Sequence, residues 1–380
     1  MATENNNKTL NVPNLRFPEF SGEWERCSLG DITTNFSRRN KEEVRYPMFS
    51  VTNNRGFVPQ SEQFEDREMV GEDIKAYKII HKNDFAYNPA RINVGSIAKY
   101  NGDEPCMISS LYVCFTADKR LDNEWLMQLL KTPKMNFYYN INGEGGVRVY
   151  LFYPNFARIK TSFPSLQEQQ KISSFLALLD ERIATQIKII EKLESLIKGL
   201  CSSLFDKNKY DSFVRLGDIS EITNGNSDVQ DASLSYSDGM YPFFDRSEDI
   251  KFLPEYLLDK EAIIYPGEGS EFYPRYYNGK FALHQRCYAI YDIAPNFATR
   301  YLYFFCKTQN SYFVRNAVGS TVASLRLDTF KRLNIPNIPI ELQKTYVQLL
   351  DKIETKIVDN KIVLKKYEEQ KRYLLSNLFI

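Results

Sequence analysis

Histidine is almost missing from this chain of 380 residues, which has only His81 and His284. Its six cysteines, Cys27, Cys106, Cys114, Cys201, Cys287 and Cys306, are scattered and form no C-x-x-C pair. Metal ligation needs such residues grouped, so a structural zinc is excluded and a reducing, cytoplasmic setting fits best. Two histidines also leave no Ser/His/Asp or Cys/His set for nucleophilic catalysis. No apolar run approaches the roughly 18 residues that a membrane helix requires, and the best, Tyr301 to Cys306, has the length of a strand. A membrane span is therefore excluded. The opening stretch, Met1 to Thr9, is polar and rich in asparagine, which rules out a secretory signal or an amphipathic transit peptide. Residues 1–12 are expected to form a disordered tail. An excess of either charge is lacking as well: 49 Lys and Arg against 48 Asp and Glu leave a formal net charge of +1. Polyanion binding usually leaves a basic excess. A nucleic-acid partner would then require a basic face hidden inside a neutral total, or further subunits to share the phosphate contacts.

What is present is apolar material for two cores: 43% hydrophobic and 14% aromatic residues, in a chain longer than one core usually organises. The chain also repeats itself. Residues 145–205 align without a gap on 319–379, at an offset of 174, with identities at Gly145/Gly319, Leu151/Leu325, Phe156/Phe330, Arg158/Arg332, Gln169/Gln343, Leu176/Leu350, Ile183/Ile357 and Leu204-Phe205/Leu378-Phe379. Upstream the tetrapeptide Leu29-Gly30-Asp31-Ile32 returns at Leu216-Gly217-Asp218-Ile219, but at an offset of 187. The second interior is therefore 13 residues shorter and its sequence is largely unrelated. A fixed frame around a free interior is the pattern expected when one scaffold carries two specificities. Neutral drift after duplication would not spare the helices selectively.

Each repeat ends in a heptad pattern. From Ile172 the seam runs Leu176, Leu179, Ile183, Gln186, Ile190, Leu193, Ile197, Leu200, Leu204; the second copy runs Tyr346, Leu350, Ile353, Ile357, Asn360, Leu364, Tyr367, Lys371, Leu374, Leu378. Ser165 and Glu168 form a capping-box pattern behind Pro164, and Pro336 and Pro339 mark the second start. The spacing predicts helices over about 165–205 and 339–379. At about 1.5 Å per residue each is a rod of roughly 60 Å. Packed antiparallel, the rods would relate two globular domains by a pseudo-twofold axis. Both seams carry an amide at one equivalent place, Gln186 and Asn360, which either fixes the register of the pair or lies at a solvated edge.

Between the rods, runs such as Tyr77 to Ile80, Leu111 to Phe115, Ala262 to Tyr265 and Cys287 to Tyr291 alternate with turn signals, predicting mixed α and β with a curved sheet. The organisation expected is a tail at 1–12, a first domain at 13–150, a helical region at 151–208, a second domain at 209–325 and a second helical region at 326–380. The loops of both interiors collect side chains able to make bidentate hydrogen bonds to base edges. The candidates are Arg38, Arg39, Asn53, Arg55, Asn88, Arg91, Asn93 and Ser96 in the first domain. In the second they are Asn226, Arg246, Arg275, Tyr276, His284, Gln285 and Arg286. Other chemistry lacks support. Asn88-Pro89-Ala90-Arg91 is half of an Asn-Pro-Pro-aromatic methyltransferase loop, and the glycines at Asn142 to Gly146 and Gly267-Glu268-Gly269 lack dinucleotide or P-loop spacing. Asp73-Ile74-Lys75 and Asp249-Ile250-Lys251 have the acidic-x-Lys ending of a nuclease site without its preceding Pro-Asp.

The opening Pro13-x-Leu15-Arg16-Phe17-Pro18-x-Phe20-x-Gly22-x-Trp24, followed by Leu29-Gly30-Asp31-Ile32, resembles that of specificity subunits of type I restriction-modification systems. Pro164 with Glu168-Gln169-Gln170-Lys171-Ile172 resembles the start of that family's first long helix, and the order of parts matches along almost the whole chain. The resemblance implies an α+β chain in which two target recognition domains are joined by two long antiparallel coiled-coil helices. Each domain would read one half of a split, asymmetric site in double-stranded DNA. The helices would set the spacer and dock two methyltransferase subunits, and restriction/translocase subunits would join them. The chain itself would be non-catalytic, with S-adenosylmethionine, ATP and magnesium belonging to the partners. Asn88, Arg91 and Asn93 match a motif found in one class of these domains, followed by an Ile-Ser-x-x-Tyr-like strand at Ile108 to Tyr112. The second copy departs from the pattern, with Leu342-Gln343-Lys344 where Glu-Gln is usual. A different reading of the residues is a stand-alone DNA-binding regulator that dimerises through its coiled coil.

Overall fold

A computed structural model of the chain describes residues 10–62, 74–145 and 149–380. The tail at 1–9, Asp73 of the first acidic-x-Lys tripeptide and Gly146 of the glycine-rich stretch lie outside the described residues. The chain forms two units, residues 1–185 with 364–380, and residues 186–363. The two long helices, Leu166–Leu204 and Ile340–Asn377, each contribute to both.

The first unit is built on the repeated frame. Strand Glu25–Ser28 pairs antiparallel with Lys160–Phe163, and the one-turn helix Leu29–Ile32 follows. The Asp31 carboxylate accepts the Ser28 N–H and hydroxyl, both at 2.7 Å, which satisfies the start of that helix. Gly30 suits the close approach there, because a Cβ would crowd that of Ala157 at 3.0 Å. The second unit repeats the device. Phe213–Arg215 pairs with Asn334–Pro336, helix Leu216–Ile219 follows, and a Cβ on Gly217 would lie 2.9 Å from that of Lys331, the equivalent of Ala157.

On these matching frames sit different sheets. The first unit holds a four-stranded sheet in the order Thr33–Phe36, Val113–Ala117, Phe85–Tyr87, Ile97–Lys99, all antiparallel, and two two-stranded ribbons, Phe49–Thr52 with Gly56–Pro59 and Lys78–Ile80 with Cys106–Ile108. The second holds six, in the order Glu221–Asn224, Cys287–Tyr291, Leu258–Pro266, Arg275–Leu283, Tyr241–Phe244, Lys251–Leu253, with one parallel pairing between the fourth and fifth. The apolar run Tyr301 to Cys306, of strand length in the sequence, is the middle of helix Thr299–Lys307 and is buried on every side. A fully buried helix shows no periodicity, so a short apolar run does not reveal which element it forms.

The heptad seams are buried inside the chain. In the first unit Ile172, Leu176 and Leu179 pack with Leu374, Leu378 and Phe379, and Lys371 pairs with Asp180. In the second, Ile197, Leu350, Ile353 and Ile357 share one core and Lys361 pairs with Glu194 at 2.7 Å. In both units the helix segments run antiparallel. The phenylalanine just past the end of each helix plugs a domain core: Phe379 packs on Trp125 at 5.7 Å, and its equivalent Phe205 on Tyr301 at 5.5 Å. Gln186 and Asn360 meet. The buried Gln186 amide donates to the Asn360 side-chain oxygen and, at 3.2 Å, to its carbonyl.

Residues 10–12, expected to belong to a loose tail, include an anchor. The Asn11 amide donates to the Trp24 carbonyl at 2.7 Å and to the Ser162 hydroxyl at 3.0 Å, and Asn11 is buried. Arg16 of the opening motif pairs with buried Glu168 through two hydrogen bonds, and the Trp24 indole donates to the same carboxylate at 3.2 Å. At the offset of the tetrapeptide, the equivalents of Arg16 and Trp24 are Ser203 and Asp211. Leu342 stands at the place of Glu168 and is exposed, so the second unit has neither the buried carboxylate nor its two donors.

In the second unit, Arg300 of helix Thr299–Lys307 is held by Asp351 and by Glu354 at 2.7 Å; Lys307 and the Tyr303 hydroxyl donate to the same Glu354 at 2.9 and 3.0 Å. Burial pushes the Glu354 carboxyl up, but hydrogen bonds and charge from Lys307 and Arg300 outweigh it and hold it below the ordinary carboxylate range. A carboxyl lowered by folding contributes stability above its unfolded value of about 4.3, and loses it as pH falls through the folded value. Glu354→Gln is expected to cost about 2 kcal/mol at pH 7. Its deficit in melting temperature should shrink as pH falls below about 4, where wild type loses the same charge. A deficit that stayed constant from pH 7 to pH 3 would contradict this account.

Candidate nucleic-acid interface

In the second unit, four of the predicted residues come together. A tight turn joins strands Arg275–Leu283 and Cys287–Tyr291, closed by the Cys287 N–H donating to the His284 carbonyl at 2.8 Å. It presents His284, Gln285 and Arg286 to a cleft of about 460 Å³, which Arg246 enters from the opposite loop. Two glycines let the chain pass this close. A Cβ on Gly225 would fall 2.1 Å from the Leu283 carbonyl oxygen, and one on Gly267 2.0 Å from that of Arg286. The second of these carries Glu268 to the rim, where it takes both hydrogen bonds of Arg286 at 2.8 and 2.9 Å. The Gln285 amide donates to Asp228 at 3.0 Å. Asn226 is exposed beside the turn and accepts the Ser227 hydroxyl at 3.1 Å.

Two of the second domain's candidates do other work. The Arg275 guanidinium donates to the carbonyls of Asp245 and Ser247 at 2.6 and 2.5 Å and lies over Phe244, so it is an internal brace. The Tyr276 hydroxyl donates to Glu261 at 2.6 Å and its ring carries the Arg300 guanidinium at 4.5 Å, which turns it toward the long helix. Alternation along their strand puts the two side chains on opposite faces, and neither face here is the cleft.

In the first unit, the loop from Asn88 to Ser96 folds on itself. The Asn88 side-chain oxygen accepts the Ala90 N–H at 3.0 Å and its carbonyl the Arg91 N–H at 3.0 Å. Gly95 has φ near 99°, and a Cβ there would press on the Asn53 carbonyl oxygen at 3.0 Å. Asn88 therefore shapes the loop, while Arg91 is exposed at its turn. Ser96 is buried and donates to the Val51 carbonyl at 2.6 Å, which makes it a pin between two strands and removes it from the surface. Asn53 and Asn93 line one hollow of about 380 Å³, and the Asn93 amide donates to Asn140 at 3.0 Å. Arg55 borders a neighbouring hollow with Lys99 and Lys131, and pairs with Glu62 at 2.7 Å. Arg38 is tied to the buried carboxylate of Asp84 and lies 4.0 Å over Phe36, whereas Arg39 is exposed.

Charge pairing therefore sorts the candidates. Arg38, Arg55 and Arg286 are neutralised by carboxylates and Arg275 braces a loop, leaving the side chains of Arg39, Arg91 and Arg246 without a hydrogen bond or ion pair among the described residues. The acids that matter, Asp84, Glu268 and Asp245, carry no signal in the sequence. They lie from 6 to 46 residues from the cations they hold. Among the described residues no cluster of three or more His, Cys, Asp or Glu could hold a metal ion, and no helix is long and apolar enough to cross a membrane.

The type I restriction modification DNA specificity domain matches this chain twice, at residues 22–195 and 209–366. The chain is 24% identical over 230 residues to a putative type I restriction enzyme MjaX specificity subunit of Methanocaldococcus jannaschii, covering 56% of this chain and 54% of that one. It is 25% identical over 192 residues to the type I restriction enzyme HindI specificity subunit of Haemophilus influenzae, covering 48% and 41%. The chain thus spans about half the length of the curated relatives it matches. Among solved structures, the type I restriction-modification S subunit from M. genitalium superposes with a TM-score of 0.66 at 15% identity, over 97% of this chain and 99% of that one. A chain from a study of assembly and conformational transition in a type I system gives 0.57 at 14% identity, over 93% and 97%. At such identities the likeness is one of fold.

Proposed function

Since the chain belongs to the type I restriction-modification DNA specificity family, we propose that it is the non-catalytic recognition subunit of a DNA-modifying complex. Each unit's variable domain reads one half of a bipartite, asymmetric site in double-stranded DNA. The paired helices set the spacer and dock two methyltransferase subunits, to which restriction/translocase subunits add. S-adenosylmethionine, ATP and magnesium are assigned to those partners, and the complex acts in the cytoplasm. The observation that carries this reading is the pairing of matching frames with unlike sheets: same ribbon, same Leu-Gly-Asp-Ile helix, a four-stranded sheet with two small ribbons in one unit and a six-stranded sheet in the other. Such a chain meets two different targets in one manner.

Partner docking is supported by apolar residues that the helices leave exposed, among them Leu178, Leu196, Val358 and Ile362. The stand-alone regulator is disfavoured because the seams it would use for dimerisation are already covered within the chain. The test is co-expression with the neighbouring methyltransferase subunit and mapping of adenine methylation by long-read sequencing. A single two-part motif is expected. A continuous motif, or methylation unchanged when this chain is omitted, would overturn the proposal.

A further inference from the structure

Arg246 stands apart from the other residues of the second cleft. It is exposed, its own side chain has no partner among the described residues, and its backbone is held on both sides. The Asp245 carboxylate, buried, accepts the Ser247 N–H at 2.8 Å and hydroxyl at 2.6 Å, and is neutralised by Lys251. The Arg275 guanidinium takes the carbonyls of the two residues that flank Arg246. The preceding Phe244 is fixed by its carbonyl, which accepts the His284 N–H at 2.9 Å. With its backbone locked, Arg246 has only side-chain freedom to lose on binding, and that suits specific recognition more than a contact from a loose loop.

The cleft's own charges say what it can accept. No basic excess favours a phosphate there, because Arg246, Lys251 and Arg286 are matched in its lining by the carboxylates of Asp228, Asp245 and Glu268. Carboxylates are the groups that accept from the amino group of cytosine, while an arginine fork matches the two acceptors of guanine. Resting on the function proposed above, we infer that Arg246 is a specificity-determining residue that reads the guanine of one G·C pair in the second half-site, with Arg275 as its positioning residue.

The test uses the whole chain with its methyltransferase subunit in cells, and compares methylated motifs of wild type, Arg246→Ala and Arg246→Lys. Loss of a bidentate contact should relax one position of the second half-site by about ten- to a hundredfold in both variants and leave the first half-site unchanged. The purified variants should melt like wild type, because no side-chain hydrogen bond or ion pair among the described residues is removed. If Arg246 instead holds a phosphate, Arg246→Ala will weaken all sequences alike, Arg246→Lys will restore binding, and the salt dependence will fall by about one unit of slope. That outcome overturns the assignment, as does a second half-site without a G·C pair or an unchanged motif in Arg246→Ala. A wild-type motif that is not bipartite would fail the functional proposal itself, and is recognised before any variant is compared.

Discussion

Replacing Gln343 or Gln169 by leucine is expected to destabilise the unit that holds it by about 3 to 5 kcal/mol. Both glutamines are fully buried and occupy equivalent places near the start of a long helix. The Gln343 amide donates to the carbonyls of Ile338 at 2.9 Å and Asn296 at 3.0 Å, and its oxygen accepts the Ala298 N–H at 2.9 Å. Gln169 does the same with Pro164 at 2.9 Å, Arg120 at 3.1 Å and the Asp122 N–H at 2.8 Å. In each unit one side chain thus joins the long helix to the segment leading into the domain's first inner helix. Leucine fills the space but orphans three backbone groups away from water, each costing about 1 to 3 kcal/mol and not fully additive. Urea titration combined with amide hydrogen exchange would read the loss, and protection should fall in the mutated unit first. A cost under about 1 kcal/mol would show that water replaces the amide and that the clamp is dispensable. Glutamate at either position would turn a buried carboxylate toward the two carbonyl oxygens that the amide now serves, so it should destabilise at least as much as leucine.

Exchanging residues 16–144 for those of a relative is expected to replace one half of the methylated motif and leave the other half as it was. Each changed base pair is worth about 1 to 3 kcal/mol, so even two changes shift preference by about a hundredfold or more. The structure adds a condition to the exchange. Glu168, which stays behind, is buried against Arg16 and the Trp24 indole. The donor segment must therefore carry arginine and tryptophan at those places, or the chimaera will hold an unpaired buried carboxylate. With that condition met, a change in both halves would refute the modular reading, because each sheet is built only from its own unit's strands.

The parts legible in the sequence are those whose signal is local or periodic. Heptad spacing placed both rods to within a residue or two, since each seam position repeats at a fixed interval. The failure of alignment between the Leu-Gly-Asp-Ile tetrapeptides and the helices marked the interiors, where the sheets do differ. By residue type Ser96, Arg275 and Tyr276 belong with the surface candidates, since type says which bonds a side chain can make and nothing about which it has made. Each is committed inside the fold to a partner supplied by another strand, loop or helix.

By itself, then, the sequence determined the duplication, the lengths and starts of the rods, the amide shared by both seams, and where variability lies. These follow from spacing along one chain. Only the tertiary structure decided which charges are spent. Arg286 and Glu268 are 18 residues apart, Arg38 and Asp84 are 46, and Arg16 and Glu168 are 152. Pairing over such separations depends on strand order and loop closure, and the sheets that set it are the part the two halves do not share. Among the arginine candidates, Arg38, Arg55 and Arg286 are neutralised by carboxylates and Arg275 braces a loop, leaving Arg39, Arg91 and Arg246 unpaired among the described residues.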